Sequence, residues 1–431
     1  MTESHPKGVG ILFFTEMWER FSYYGMRALL FLYLVKNLNF SDELAGSIYG
    51  AYTGFVYFTP SIGGYLADQF LGYRKSILLG GFLMMCGHIS LAIENNYFFM
   101  LGLFLLVIGN GFFKPNISTL LGLLYKDKPH MKDSGFTIFY MGINIGGMLG
   151  PLICGYIGET YSWHLGFGLA GLGMFFGLIV FIFGSKYLDF QEKEKKSTPA
   201  TLDFSPIETD RIWAIVYLSL FSLLFWFAFE QAGSSINLFA DRHTERNIAI
   251  KLPEFFSTYA SEIKFMIPAS VFQSLNGFLI LLFAPLFSLI WATFHKRKIK
   301  IYTGLQFFTA FLFLMIGFYI LVVGSKNILI EKSSMYFVIL AYIFHTLGEL
   351  CISPVGLSTV SKLAPLRVAS LLMGLWFLSN AISHYLSGYI SGHMSKFSSL
   401  SVFFSIFVYT SLFACVLLLF TFKKIQRLMH I

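Results

Sequence analysis

Charged residues are scarce in this chain. Only 13% of its 431 residues are Asp, Glu, Lys or Arg, whereas 56% are hydrophobic, and the mean hydropathy is +0.67. A soluble domain with so few polar side chains could not cover its surface, so the composition excludes ordinary soluble proteins and disordered tails. In a membrane protein, the distribution of Lys and Arg among the loops indicates the orientation in the bilayer. We therefore do not interpret the net charge of +8 as a sign of a nucleic-acid partner.

Motifs for catalysis and nucleotide binding are missing as well. The sequence contains no G-x-S-x-G, H-E-x-x-H, Walker or dinucleotide-binding pattern, and its ten histidines form no ligand pair on one helix face. We therefore expect neither an enzyme nor a cofactor or metal. Four cysteines lie in apolar stretches without metal-ligand spacing and are interpreted as buried thiols: Cys86, Cys154, Cys351 and Cys415.

Long apolar runs are what the chain has in abundance. A helix needs about 20 apolar residues to cross the hydrocarbon core of a bilayer. Twelve runs meet this requirement, which predicts an all-α membrane protein. Their approximate bounds are 11–35, 45–67, 75–93, 98–117, 136–158, 164–187, 213–239, 267–294, 301–323, 334–358, 368–392 and 400–422.

The polar stretch 188–212 divides these runs into two sets of six. We interpret it as a solvated linker between an N-terminal six-helix bundle, residues 1–187, and a C-terminal one, residues 213–431. Most Lys and Arg residues between the runs fall on the side of the N-terminus, so both termini and the linker should face the cytoplasm. The short loops are typical of a bacterial inner membrane protein. Two such bundles are typical of transporters that bind substrate where the halves meet.

The first apolar run carries charges on one face. Six polar side chains fall within an arc of about 140° when each residue turns by 100°: Glu16, Glu19, Arg20, Tyr23, Tyr24 and Arg27. A charge at bilayer depth costs at least about 2.5 kcal/mol, so this helix should face a partner or a water-filled cavity. The alternative is a structural ion-pair ladder in which Glu16 pairs with Arg20 four residues on.

The remaining charges inside the apolar runs come from both halves, as a central site requires. They are Lys114, Glu230 and Glu349, with Asp68 at the end of the second run. Carboxylates in a cavity that opens and closes can bind and release protons, because burial and nearby cations shift their protonation in opposite directions. Hydrogen-bonding groups suited to peptide amides, and one aromatic pocket residue, accompany them: Tyr24, Tyr57, Asn144, Asn276 and Trp376.

Residues 63–75, GGYLADQFLGYRK, connect the second and third runs. This segment resembles the loop motif of the major facilitator superfamily, which implies a twelve-helix fold of two six-helix bundles. In that superfamily the motif contributes to gating, so the resemblance implies gating roles for Asp68 and Arg74.

Six further segments resemble one family within that superfamily, the proton-dependent oligopeptide transporter (POT or PTR) family. They are residues 16–25 (EMWERFSYYG), 112–118 (FFKPNIS), 139–146 (FYMGINIG), 229–231 (FEQ), 272–276 (FQSLN) and 348–354 (GELCISP). Together the matches extend over nearly the whole chain. The resemblance implies import of di- and tripeptides by alternating access, driven by H⁺ as the coupling ion. It also implies a transporter that works as a monomer in the bilayer.

The resemblance implies a role for each matched residue. Glu16, Glu19 and Arg20 would form a proton-responsive cluster, with Lys114 as its partner and as a cation for the peptide carboxylate. Glu349 would receive the peptide amino terminus. The other implied roles are backbone binding by Tyr24, Tyr57, Asn144 and Asn276, substrate contact by Arg20, a side-chain pocket at Trp376, and an outer gate between Arg27 and Glu230 that protonation of Glu230 weakens.

The chain departs from the family pattern at two places. Many bacterial members have two additional helices between the bundles, for which 188–212 is too short, and Gly277 stands where a proline is expected after Asn276. Three alternatives remain open. The first is a POT-like transporter for an amino-acid conjugate, nitrate or a drug-like molecule. The second is a membrane enzyme that uses Glu16, Glu19 and a histidine for acid–base chemistry, and the third is a receptor that binds peptide without moving it.

Overall fold

The computed structural model describes residues 4–188, 204–251, 262–298, 302–365 and 368–430. The first half forms α1 (Gly8–Lys36), α2 (Asp42–Leu66), α3 (Tyr73–Leu91), α4 (Asn96–Leu124), α5 (Lys132–Gly150), α6 (Tyr156–Thr160) and α7 (Trp163–Gly184). The second half forms α8 (Pro206–Phe229), α9 (Ser235–His243), α10 (Ser274–Lys296), α11 (Thr303–Gly324), α12 (Met335–Leu363), α13 (Ala369–Gly392) and α14 (Leu400–Met429).

Each predicted apolar run contains one long helix, which confirms the all-α membrane architecture. In two places a run is completed by a short second helix. A π-helical turn, Pro151–Gly155, continues α5 into α6, and a 3-10 turn, Glu230–Gly233, continues α8 into α9. Irregular turns within a buried run are tolerated because neighbouring helices satisfy the freed backbone groups.

Helix α4 is longer than its apolar run. The run ends near residue 117, but the helix continues to Leu124, with Pro115 inside it. The polar side chains that end the run return their hydrogen bonds to the helix: Asn116 donates to the Phe112 carbonyl at 2.7 Å, and Thr119 donates to the Pro115 carbonyl at 2.9 Å. Local bonds of this kind satisfy polar groups inside a helix, so hydropathy alone places the end of α4 too early.

The predicted linker differs from the structure at its end. Residues 189–203 lie outside the described residues, and α8 begins at Pro206, so 206–212 are helical. Ser205 and Glu208 form a capping box, in which the Ser205 hydroxyl accepts from the Glu208 amide at 3.3 Å and the Glu208 carboxylate accepts from the Ser205 amide at 2.9 Å. The box satisfies free amide groups of the first turn and starts the helix before the apolar run does. The bundle boundaries at 187 and 213 stay a prediction.

Eight segments among the described residues are long and apolar enough to cross a membrane by length and composition. The other long helices are α1, α2, α3 and α13. In α1, four charged side chains interrupt the apolar sequence: Glu16, Glu19, Arg20 and Arg27. Large apolar side chains elsewhere point outward, for example Phe183 at 76% exposure and Phe420 at 83%. Such exposure suits a surface that faces lipid.

The two halves meet along α2 and α13 and along α5 and α10. A Cβ on Gly46 would lie 2.5 Å from the Gly388 carbonyl oxygen, so only glycine allows α2 and α13 to approach this closely. A Cβ on Gly277 in α10 would lie 2.7 Å from the Asn144 carbonyl oxygen in α5. Small residues at such crossings permit the backbone contact that holds membrane helices together.

The far end, defined here as the end of the helices opposite both chain termini, contains the α1–α2 connection and residues 241–247. Four short strands lie there. Strand β1 (Thr244–Glu245) pairs in parallel with β4 (Ser333–Ser334), and β2 (Asn247–Lys251) pairs antiparallel with β3 (Glu262–Met266). Ion pairs that join the halves at this end link Lys36 to Asp241, Arg242 to Asp42, Arg246 to Glu159 and Lys396 to Glu43.

Candidate functional site

A cavity of about 340 Å³ lies between the two halves. Helices α1, α2, α4 and α5 contribute to its wall from the first half, and α8, α10, α12 and α13 contribute from the second. Seven of the predicted substrate-binding residues line it: Tyr24, Tyr57, Lys114, Asn144, Asn276, Glu349 and Trp376. Both residues of the predicted gate pair, Arg27 and Glu230, line it as well.

The charged face of α1 packs beside this cavity. Arg20 donates hydrogen bonds through Nε and Nη2 to the carboxylate of Glu19, the second at 2.6 Å, and Nε lies 3.3 Å from Oε1 of Glu16. All three side chains are nearly fully buried, and Oε2 of Glu16 has no hydrogen-bond partner. One guanidinium therefore serves two buried carboxylates, and one carboxylate oxygen is left unsatisfied.

Arg20 does not line the cavity, although the sequence predicts a substrate contact for it. Its guanidinium is engaged with the two carboxylates and lies over the rings of Tyr23 and Tyr24, at 5.1 and 5.8 Å from their centroids. The two carboxylates therefore engage the Nε and Nη2 edge of the guanidinium. Its link to the cavity is therefore the ring of Tyr24, which lines the wall.

Lys114 presents its ammonium to the cavity without a carboxylate partner. Among the described residues, no carboxylate lies within the 4.0 Å ion-pair distance of its Nζ, so the predicted pairing with the α1 carboxylates is not a direct contact. The ammonium lies instead over the Tyr57 ring, 4.2 Å from its centroid. A cation on an aromatic face remains available to an anion.

Glu349 lies on the wall contributed by the second half. Its Oε2 accepts a hydrogen bond from Nδ2 of Asn276 at 2.7 Å, and the same amide lies 3.2 Å from the hydroxyl of Thr346. The carboxylate has no cation partner among the described ion pairs. The cavity thus has an unpaired cation on one wall and an unpaired carboxylate on the other.

Arg27 and Glu230 form a buried ion pair across the two halves. Nη1 of Arg27 donates to Oε2 of Glu230 at 2.9 Å, so the contact predicted for this pair is present. The two side chains are 7% and 5% exposed. Because breaking a buried pair leaves an uncompensated charge, this contact strongly favours the present arrangement of the halves.

Two more predicted wall residues are held by their own helices. Nδ2 of Asn144 donates to the carbonyl of Tyr140, one turn earlier in α5, at 2.8 Å. Trp376 is 5% exposed and packs against Gly356 of α12, where a Cβ would lie 2.5 Å from its ring.

Asp68 and Arg74 lie away from the cavity, at the connection between α2 and α3. Asp68 belongs to the π-helical turn Ala67–Leu71, and Arg74 is the second residue of α3. The Tyr73 hydroxyl donates to Asp68 at 2.7 Å, across Gly72, whose φ of 74° suits glycine. Asp68 therefore helps to fix the geometry of the connection, and neither Asp68 nor Arg74 lines the cavity.

The sequence prediction missed several residues of the wall. Helical spacing from residues already singled out could have found three of them: Tyr140 is four residues before Asn144, Thr346 is three before Glu349, and Asn380 is four after Trp376. The other missed wall residues include Trp226, Phe229, Gln273, Tyr342, His345 and Phe377. His384, which contacts Glu230, was also missed, because its neighbours lie on other helices.

Across the described ranges, no group of three or more His, Cys, Asp or Glu side chains is placed to hold a metal ion. The cavity wall presents charged side chains from both halves together with amide and hydroxyl groups.

The sequence model of the POT family matches residues 74–207 and 205–407. Among curated relatives, the chain is 34% identical to the uncharacterized transporter YclF of Bacillus subtilis, over 88% of this chain and 86% of that protein. It is 31% identical to the di-/tripeptide transporter of Lactococcus lactis, over 88% of this chain and 87% of that one. Its structure resembles the crystal structure of the peptide transporter POT in complex with sulfate, with a TM-score of 0.86, 32% identity, and coverage of 99% and 96% of the two chains.

Proposed function

The chain belongs to the POT family of membrane transporters, and from this membership we propose that it imports di- and tripeptides together with protons by alternating access. POT proteins are transporters with the major facilitator fold, so the chain is a multi-pass membrane protein and not an enzyme. The proposal goes beyond membership in naming the substrate, the coupling ion and the residues that serve each.

The observation that carries the peptide assignment is the pair of unpaired charges on opposite walls. A free peptide carries a carboxylate at one end and an ammonium at the other. Lys114, from the first half, attracts the carboxylate, and Glu349, from the second half, attracts the ammonium. A ligand with both charges therefore binds both halves at once, which is what a substrate must do to favour a change in how they pack.

Hydrogen-bonding groups between these charges suit a peptide backbone. Asn144 and Asn276 offer amides, and Tyr24 and Tyr57 offer hydroxyls, all on the cavity wall. Trp376 supplies an aromatic surface for substrate side chains. The Lactococcus lactis relative is a di-/tripeptide transporter, which supports peptides of the same length here.

Proton coupling is assigned to Glu16, Glu19 and Arg20. A buried carboxylate oxygen without a partner, such as Oε2 of Glu16, is costly while the group is ionised, and protonation removes that cost. Arg20 acts by holding the ionised carboxylates and does not touch the peptide. The proton gradient then supplies the driving force, and the proposal includes no cofactor or metal.

The gate is assigned to Arg27 and Glu230. Their ion pair joins the halves while Glu230 is ionised, and protonation of this carboxyl removes the charge that Arg27 needs. Arg27 lies nearer than Arg20 to the far end of α1, and the far end, where the surface ion pairs lie, is proposed to face the outside. Both termini then face the cytoplasm of a bacterial inner membrane, and each monomer is a complete transporter. Asp68 and Arg74 assist gating by shaping the α2–α3 connection.

A substrate panel tests the peptide assignment. Proteoliposomes preloaded with unlabelled dialanine exchange it for labelled dialanine outside, and competitors are added in excess. We expect dialanine and trialanine to compete strongly, and N-acetylated or C-amidated dialanine, alanine and nitrate to compete weakly. Strong competition by nitrate or by a doubly blocked peptide would favour the divergent-substrate alternative.

A further inference from the structure

A histidine without a role in the proposed mechanism, His384 of α13, lies beside the gate ion pair. Its side chain is 2% exposed, and its Nδ1 lies 3.4 Å from Oε2 of Glu230. Oε2 is also the atom that accepts the 2.9 Å hydrogen bond from Arg27. One carboxylate oxygen is therefore shared between a guanidinium from the first half and an imidazole from the second.

The ring of His384 is oriented by Tyr57 of α2. The two rings are stacked, with centroids 3.9 Å apart and an interplanar angle of 19°. Lys114 lies over the same tyrosine, 4.2 Å from its centroid. Because Tyr57 and Lys114 line the cavity, this stack is a continuous contact between the peptide site and Glu230.

Other titratable and charged groups surround His384 and Glu230. They are Tyr23, Tyr24 and Arg27 from α1, Tyr49 and Tyr57 from α2, Lys114 from α4, and Tyr342 and Glu349 from α12. Among the described residues, Glu230 is the carboxylate within ion-pair distance of the imidazole. Nδ1 therefore lies 3.4 Å from a possible acceptor, and a hydrogen on Nδ1 would favour the ionised form of that acceptor.

We propose that His384 is a positioning residue for the coupling step: its Nδ1–H holds Oε2 of Glu230 in the ionised state paired with Arg27, and so sets the external pH at which the pair opens. The inference rests on the proposed proton-coupled peptide transport. It adds a residue from the second half that fixes how readily the gate carboxylate accepts its proton.

Two substitutions separate the donor from the ring. His384→Phe keeps a flat ring against Tyr57 but has no N–H, whereas His384→Asn keeps an N–H donor on the atom equivalent to Nδ1 but has no ring. His393→Phe is the control, because the His393 ring also contacts a tyrosine, Tyr389 of α13, with centroids 4.6 Å apart and an interplanar angle of 40°, and its Nδ1 lies 2.9 Å from the Tyr389 carbonyl oxygen.

The readout is the external pH that gives half-maximal dialanine uptake into proteoliposomes at a fixed internal pH. We expect His384→Phe to move this midpoint upward by about one unit, a tenfold lower proton requirement, because the carboxylate loses a stabilising donor. His384→Asn and His393→Phe should keep the wild-type midpoint. An unchanged midpoint for His384→Phe, or a shift in His384→Asn alone, overturns the proposal, since the second result indicates a stacking role.

A spectroscopic measurement does not depend on the folding of His384→Phe. In protein labelled with ¹⁵N-histidine, the nitrogen resonances of His384 are assigned by their loss in His384→Asn. We expect a protonated Nδ1 in the wild type and a changed Nδ1 shift in Glu230→Gln. An unprotonated Nδ1 in the wild type overturns the proposal.

Uptake by the wild-type protein distinguishes failure of this inference from failure of the proposed function. Wild-type protein would then show no uptake driven by the pH gradient at any external pH, whereas failure of this inference leaves wild-type uptake intact.

Discussion

At the residue scale, the account depends on charges that are buried and shared. Arg20 serves Glu16 and Glu19, and Arg27 serves Glu230, all with little exposure. Removing one partner of such a set leaves the other charge buried without compensation, which typically costs about 3–5 kcal/mol of stability. A surface ion pair contributes only about 0–1 kcal/mol. Neutralising one carboxylate of these sets should therefore change proton coupling, whereas neutralising a cavity charge should change peptide binding.

Glu19→Gln keeps the shape of the side chain but removes its titration. We expect it to abolish accumulation of peptide driven by a pH gradient, because no proton then moves at this site, and to retain counterflow exchange, which needs no net proton movement. Both are measured in the same proteoliposomes. If Glu19→Gln concentrates dialanine like the wild type, the coupling site is elsewhere.

Glu349→Ala removes the proposed partner of the peptide ammonium. The loss of one charge-assisted contact should weaken binding of dialanine by about 1.5–3 kcal/mol, or about 10- to 150-fold, and binding of N-acetyl-dialanine by much less. Binding constants from competition in counterflow provide the measurement. A matched control is Glu94→Ala, since Glu94 is exposed in the α3–α4 connection. Equal losses for both peptides would remove the assignment of Glu349.

Individual site residues could be predicted from the sequence where they belong to short motifs. Lys114, Asn144 and Glu349 each lie in a segment with a recognisable pattern, and each lines the cavity. Arg20 was also predicted to contact substrate; the structure places it beside the cavity, held by Glu16 and Glu19, and a sequence pattern does not show such contacts. His384 was missed because the Tyr57 ring and the Glu230 oxygen that define it come from other helices.

At the element scale, the crossing of α5 and α10 positions both cavity asparagines. Gly277 was a departure from the family pattern, and the structure gives it a packing role. A Cβ there would lie 2.7 Å from the Asn144 carbonyl oxygen and 2.8 Å from the Met148 amide nitrogen, both of them backbone atoms. Backbone atoms cannot move aside as the tip of a side chain can, so a larger residue at this position would force α5 and α10 apart.

Gly277→Ala should accordingly destabilise the protein by about 1–3 kcal/mol through overpacking. We also expect weaker dialanine binding, because Asn144 and Asn276 move apart with their helices. Thermal unfolding in detergent and counterflow competition measure the two effects. Gly374→Ala in α13 is the control, since a Cβ there meets nothing within 4 Å. Equal behaviour of the two variants would contradict the close crossing.

Helix existence was predictable because bilayer thickness fixes the length of an apolar run. Helix ends were less so, since α4 passes Pro115 and α8 begins with polar residues that cap it. The pairing of β2 with β3 was not predicted either. Each strand is only five residues long, and its register depends on a partner strand rather than on its own pattern.

At the scale of the whole molecule, the halves are joined at the far end by ion pairs that differ in burial. Arg242 donates two hydrogen bonds to Asp42, both at 2.7 Å, with side chains 34% and 12% exposed. Lys396 and Glu43 are 55% and 49% exposed. The more buried bidentate pair should contribute more to closure, because solvent and salt screen the other.

Arg242→Gln should shift the population toward a molecule open at the far end. A change of about 1 kcal/mol would alter the ratio of closed to open forms about fivefold. Spin labels at Asn37 and Lys326, two exposed residues of this end, report the distance between the halves. Lys396→Gln should leave the distance distribution unchanged. A shift in Lys396→Gln alone would contradict the ranking by burial.

The central claim is that this chain uses a proton gradient to concentrate small peptides. The most direct measurement is uptake of labelled dialanine into proteoliposomes with an imposed inside-alkaline pH gradient, with and without a protonophore. The account predicts accumulation above the external concentration, and its collapse when the protonophore is added. Accumulation that the protonophore leaves intact would contradict proton coupling, and no uptake by folded, correctly inserted protein would contradict the peptide assignment.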